Sequence, residues 1–306
     1  MSIPNLKWLA AITLAAVSFS VVKAEPHCPG NVNSVPLRFA NRYQMIVAVS
    51  VNHSGPYDFL LDTGTQVTMI DAALATELHV ATQGDAAVAG AGFHVPAARA
   101  RVDLLEVGLN TLANREVILY DLDRLNASGL QVRGILGEDF LQHFDMLIDN
   151  ANRQLCLDET STLRNHIKGP HIGLLTSNAA ADNASLPSSL IVSVRLSDGL
   201  RPIRLKLDSG TNSALLYNAS EILAVGLLKT ASFHGSGADG AKRVYSSLPT
   251  QSVKFGPVEL PGVNFLTLVG AQKDSGTSDF DGLLTLGLFR RVLICHKGRF
   301  AVLDPL

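Results

Sequence analysis

The amino-acid sequence predicts a mainly β protein of two similar lobes about a pseudo-twofold axis, with one short helix or more in each lobe. Three observations carry this expectation. The strings Leu60-Leu61-Asp62-Thr63-Gly64-Thr65 and Lys206-Leu207-Asp208-Ser209-Gly210-Thr211 each bring an aspartate, a hydroxyl residue, a glycine and a threonine to the end of an apolar stretch, one string per half. The segments around the two strings follow one another in the same order. The chain of 306 residues is 47% hydrophobic and only 17% charged, with 25 glycines, which suits a large core and a turn-rich β fold.

The elements follow in register between the halves. Tyr43 to Val51 alternates as a strand, Gly55-Pro56 turns, and Tyr57 to Leu61 delivers Asp62; Leu190 to Leu196, a turn at Asp198-Gly199 and Ile203 to Leu207 deliver Asp208. Helix candidates come next, at Asp71 to Leu78 with Asp71 as N-cap, and at Asn218 to Val225, where Asn218 and Glu221 have the spacing of a capping box. About thirty residues beyond each aspartate lies a glycine-rich hairpin tip. Gly90, Gly92 and Phe93 mark the first, and Gly235 and Gly237 the second; both are candidates to close over a bound chain.

Further on, Gly134-Ile135-Leu136-Gly137 is answered by Gly282-Leu283-Leu284-Thr285, with threonine where the first copy has its second glycine. Either Gly287 serves in a shifted register or that loop packs differently. Each half then closes on paired strands, Phe144 to Asp149 with Arg153 to Asp158, and Val292 to His296 with Arg299 to Asp304. These boundaries divide the chain into an export signal at 1–24, a first lobe at 25–158, a linker at 159–189 that is rich in small polar residues and without period, and a second lobe at 190–306.

The start has the layout of a secretory signal: Lys7, then an apolar run from Trp8, then small residues before Glu25. An exported protein, periplasmic or secreted, is expected, with no stable membrane insertion after cleavage; an uncleaved N-terminal anchor is the alternative. Loss of 1–24 leaves 23 basic and 27 acidic residues and no dense run of Lys or Arg, so the phosphate-neutralising charge that nucleic acid demands is absent. Cys28, Cys156 and Cys295 and the nine histidines follow no ligand spacing, so no metal and no other cofactor is expected. One disulfide is open to an exported chain, and the pairing is not readable. Ser54, Ser209 and Ser236 lack the Gly-x-Ser-x-Gly elbow of a serine hydrolase.

A carboxylate is costly to bury unless donors surround it, and the two strings provide them: the glycine allows a sharp turn with an exposed N–H, and the hydroxyls can donate to the aspartate. If a pseudo-twofold axis relates the halves, Asp62 and Asp208 meet beside it and hold one proton between them.

On these motifs the chain resembles the aspartic proteases, in particular the retropepsin-like branch with two copies fused in one chain. The resemblance covers roughly residues 43–158 and 190–304. It implies Asp62 and Asp208 as a catalytic dyad, Thr63 and Ser209 bridging the motif loops, and Gly64, Thr65, Gly210 and Thr211 orienting the carboxylates. It also implies that the apolar-glycine elements pack beneath those loops, that the substrate is an extended polypeptide, and that a single chain works as an intramolecular pseudo-dimer without a partner copy. The rival expectations are a peptide-binding protein that keeps the fold without hydrolysis, which the Thr285 departure would suit, and a glycosidase using two carboxylates, which leaves the hydroxyl-glycine context unexplained.

Overall fold

The computed structural model describes residues 28–90, 93–127, 129–176, 187–223, 231–237, 241–269 and 279–306. The expected signal at 1–24, Gly92, residues 177–186 of the expected linker, the hairpin tip at Ala238 to Gly240 and the end of the second helix candidate lie outside the described residues.

Alternation of apolar residues builds the strands. In Gln44–Val51 the residues Met45, Val47, Val49 and Val51 are all at most 1% exposed and share one face, as a period of two requires. Each half forms its own sheet around such a strand. In the eight-stranded sheet, Gln44–Val51, Ser54–Leu61, Gly134–Leu136, Met69–Asp71 and Asn110–Tyr120 lie side by side. The nine-stranded sheet repeats that order with Ile191–Leu196, Ile203–Asp208, Gly282–Thr285, Ala214–Leu216 and Phe265–Leu268. Strand senses match as well: in both, the motif strand runs antiparallel to the strand before it and parallel to the glycine-initiated strand. Asp62 and Asp208 therefore each emerge from an interior strand of their sheet.

A third, six-stranded sheet draws on both halves. Asp145–Asp149 pairs antiparallel with Phe289–Cys295, setting Leu147 opposite Leu293. The apolar cluster is continuous through both halves, with Phe59, Phe140 and Phe144 from the first and Phe255, Phe265 and Phe289 from the second fully buried. Beneath this sheet, His296 Nε2 lies 3.0 Å from Glu138 Oε2 and its Nδ1 lies 2.7 Å from the Phe144 carbonyl oxygen. Burial alone would strip the proton from His296, but the Glu138 charge and the two acceptors outweigh it and hold the proton more tightly than usual.

Several expectations are corrected. The first hairpin turns at Asn52-His53, both with positive φ, and Gly55-Pro56 lies within the following strand Ser54–Leu61. The Asn52 carboxamide oxygen accepts the N–H groups of Asp103 and Leu104, so its side chain anchors the turn to the neighbouring strand. Neither predicted cap forms: Asp71 precedes Ala72–Glu77 without capping it, its carboxylate standing 3.7 Å from Arg133 Nε, and the second helix shrinks to Ala219–Ile222 with no side-chain bond from Asn218. The segment 159–189 is not simply a linker. It carries a helix, Thr162–His166, and a strand, Ile172–Gly173, that extends the six-stranded sheet. Asp158 accepts the N–H groups of Thr160 and Leu163 at 2.7 and 2.8 Å and so organises the start of that helix.

Cys28 and Cys156 form a disulfide across a sequence separation of 128, and Cys295 is a buried free thiol. The bridge, packed with Leu163 and Leu293, fastens the beginning of the described chain to the six-stranded sheet. Closing so long a loop restricts the unfolded chain, so replacing both cysteines by alanine is expected to lower stability by about 2–5 kcal/mol. Denaturant titration of the variant checks this, with an unchanged midpoint as the contrary result.

Candidate active site

The two motif loops interlock through their hydroxyl residues. The Thr63 N–H donates to Ser209 Oγ and the Ser209 N–H donates to Thr63 Oγ1, each at 3.0 Å. Each hydroxyl then donates across to the strand that delivers the opposite aspartate: Thr63 to the Leu207 carbonyl at 3.0 Å and Ser209 to the Leu61 carbonyl at 2.7 Å. Both side chains are fully buried. Four bonds thus join the loops with no buried donor left over among these groups, the condition under which a buried polar network is stabilising.

This lock forces the carboxyl groups together. A side chain starting at Gly64 would meet Asp208 Oδ2 at 2.4 Å and Asp62 Oδ1 at 2.8 Å, so both carboxyl oxygens crowd one point. At Gly210 the added atom would lie 2.4 Å from the Asp62 carboxyl carbon. Only glycine fits at either position, because the space a β-carbon needs is filled by the aspartates.

The two carboxyls are held unequally. Asp62 accepts one bond on each oxygen, from the Gly64 N–H to Oδ1 and from the Thr65 hydroxyl to Oδ2, both 2.7 Å. Asp208 accepts two bonds on Oδ1, from the N–H groups of Gly210 at 2.8 Å and Thr211 at 2.9 Å. The Thr211 hydroxyl turns away to the Ser213 carbonyl, so the expected equivalence of the two threonines fails: Thr65 reaches its carboxylate through the hydroxyl and Thr211 through the backbone N–H. Burial, and after it the Asp62 charge, push the Asp208 carboxyl from 3.8 up to about 7, against the opposing pull of Lys206 and the two amides.

Each motif loop rests on the apolar-glycine element, by different means in the two halves. In the first, the Glu138 N–H donates to the Thr65 carbonyl at 2.8 Å, and a β-carbon on Gly137 would press on the backbone of Thr65, Val67 and Thr68 at 2.9–3.0 Å. Asp139 clamps the same loop, its Oδ1 accepting the N–H and hydroxyl of Thr68. In the second half, Thr285 pairs with Asp208 and its hydroxyl donates to the Thr211 carbonyl at 2.7 Å. The side chain therefore serves where the first half uses a main-chain N–H. Gly287 does not stand in for the missing glycine; it makes room for the ring of Tyr43, which lies 2.4 Å from where a β-carbon would be.

Four further residues bear on the site that the motifs alone do not reveal. Gln44 Nε2 donates to the Gly210 carbonyl at 3.0 Å, and the Lys206 ammonium donates to the Gly64 carbonyl, so each motif glycine is gripped from the opposite half. Tyr217 stands close enough to Asp208 that burial and the aspartate's charge raise its phenol above the ordinary range. Phe280 packs 6.0 Å from the Tyr217 ring. The glycine-rich segments both form hairpins. Thr82–Gly90 pairs with Phe93–Val107, with Gly90 opposite Phe93, and Ser232–Ser236 pairs with Lys242–Ser247, followed by a bond from the Gly237 N–H to the Ala241 carbonyl. Gly235 leaves space for the Tyr245 ring, 2.9 Å from where a β-carbon would sit. Among the described residues no group of three or more His, Cys, Asp or Glu side chains could hold a metal ion, and no helix is long and apolar enough to cross a membrane.

The state of Asp208 has a consequence for stability. With its folded value near 7 and its ordinary value 3.8, the folded protein keeps a proton that the unfolded chain releases, so stability falls as pH rises through that window. Asparagine does not titrate. The stability of Asp208→Asn relative to the parent should therefore improve steadily from pH about 4 to about 7 in urea titrations; a constant difference across that window would contradict the raised value.

Residues 47–140, which contain the Asp62 motif, its hairpin and the Gly134–Gly137 element, match the family model described as aspartyl protease. No curated protein matches the chain. Over that segment, the first half's site is similar to the aspartyl protease family.

Proposed function

We propose that the protein is an exported aspartic endopeptidase in which Asp62 and Asp208 hydrolyse a peptide bond through one activated water. The observation that carries this reading is the crowding of both carboxyls at one point by two reciprocally bonded loops. A carboxylate beside a carboxylic acid supplies both groups that peptide hydrolysis requires. Asp62, with a donor on each oxygen, is the carboxylate that takes a proton from water. Asp208, buried and proton-retaining, donates to the substrate carbonyl oxygen as the tetrahedral intermediate forms; on collapse the proton taken by Asp62 passes to the leaving amine and one hydroxyl proton of the intermediate returns to Asp208. Thr63, Ser209, Gly64, Gly210, Thr65 and Thr211 act by fixing the two carboxyls, and the chemistry needs no metal or organic cofactor.

The substrate in this reading is an extended polypeptide lying across the axis, its backbone pairing with strand edges under the two glycine-rich hairpins. The matched strand order of the two sheets supports two fused repeats, with lobes at 25–158 and 190–306. Export rests on the character of residues 1–24. Thr285, whose hydroxyl replaces a supporting N–H, gives no reason to read the second loop as inactive.

Cleavage of a denatured protein substrate at acidic pH is the test. Asp62→Asn and Asp208→Asn should each lower kcat/KM by roughly 10³-fold or more while circular dichroism is unchanged, and full activity in either variant would overturn the assignment. Because both halves of the site lie in one chain, hydrolysis should travel with the monomer in sedimentation or size exclusion. Activity confined to a dimer peak would contradict that.

A further inference from the structure

Asp62 and Asp208 are delivered by equivalent strands, yet the residue two positions before each differs: Leu60 in the first half, Lys206 in the second. On a strand, residues two apart project from the same face, so Lys206 and Asp208 point to the same side of Ile203–Asp208. Lys206 is only 8% exposed, and a lysine is rarely buried without partners. Its ammonium donates to the Gly64 carbonyl and lies 5.3 Å from the centre of the Phe280 ring. Gly64 is thus sandwiched, with its carbonyl on the Lys206 ammonium and its α-carbon against Asp208 Oδ2.

We propose that Lys206 is a positioning residue of the dyad, a fixed buried charge that distinguishes Asp208 from Asp62 and sets the pH at which the shared proton leaves. The inference rests on the proteolytic reading above and adds to it. Three titratable groups bear on Asp208: the Asp62 carboxyl and the Lys206 ammonium beside it, and the Tyr217 phenol, with Tyr245 beyond that. Of these, Asp62 makes loss of the proton harder and Lys206 makes it easier. Tyr217 stays neutral across the relevant range, its phenol being raised rather than lowered. An opposite charge within several ångströms of a buried carboxyl commonly changes its proton affinity by a factor of ten or more. Without Lys206 the dyad would keep its proton to higher pH.

The test compares the alkaline limb of the kcat/KM profile in the parent, Lys206→Met and Lys206→Gln. Methionine removes the charge and the hydrogen bond, whereas glutamine keeps a donor for the Gly64 carbonyl. The limb should move to higher pH in both variants, by roughly one unit. A limb that stays in place in either variant assigns Lys206 to bracing the Gly64 turn alone and overturns the proposal. A second measurement is independent of hydrolysis and of either variant's folding. In the parent protein, the ¹⁵N resonance of the Lys206 ammonium should shift at the same pH as the ¹³C carboxyl resonance of Asp208. Separate titrations would overturn the inference even if the enzyme is active. If the parent cleaves nothing at any pH, the proteolytic reading fails, and the same pair of resonances still decides the electrostatic link.

Discussion

Everything in this structure that bears on chemistry depends on the reciprocal bonding of Thr63 and Ser209. Two loops that each end an interior strand would otherwise be free to separate, because carboxylates repel and buried charges are costly. The threonine and serine counter this with four hydrogen bonds in a fully buried setting, each residue giving its N–H and its hydroxyl to the other loop or to the strand feeding it. In such surroundings a partner left unmade costs about 1–3 kcal/mol, so the loops engage together or not at all. The six-stranded sheet, in which Asp145–Asp149 pairs with Phe289–Cys295, holds the halves in the register that this engagement requires.

Symmetry brings the aspartates together, and departures from symmetry give them different surroundings. Asp62 receives a hydroxyl and an amide on separate oxygens, whereas Asp208 receives two amides on one. Lys206 stands two residues before Asp208 where Leu60 stands two before Asp62, and its ammonium bonds Gly64 of the other loop. The support beneath the loops differs too, a helix N–H under Thr65 and the Thr285 hydroxyl under Thr211. In identical settings a single shared proton would sit on either carboxyl equally; unequal settings favour one of the two arrangements.

The hairpin strands and the glycines beside the two aspartates were legible because their requirements are local: alternation sets a strand, and each aspartate accepts the N–H of the glycine two residues on. What escaped was set by distant contacts. Gly55-Pro56 is the stronger turn signal by composition, but Asn52 wins because its side chain reaches Asp103 and Leu104. Asp71 has the identity of a cap, but its carboxylate accepts the Leu122 N–H at 3.4 Å and faces Arg133 instead. Lys206 sits at an alternating strand position where a lysine ordinarily faces water, and its burial is created by Gly64 from the other half. Gln44 reaches Gly210 across 166 residues, and Cys28 reaches Cys156 across 128; no local pattern encodes either.

Neutron diffraction from a deuterated crystal at mildly acidic pH would show whether one hydrogen is held jointly by the two carboxyls. A single deuteron in the dyad, carried on the Asp208 side, is the expected result. Two deuterons, none, or carboxyl groups too far apart to share one would contradict it.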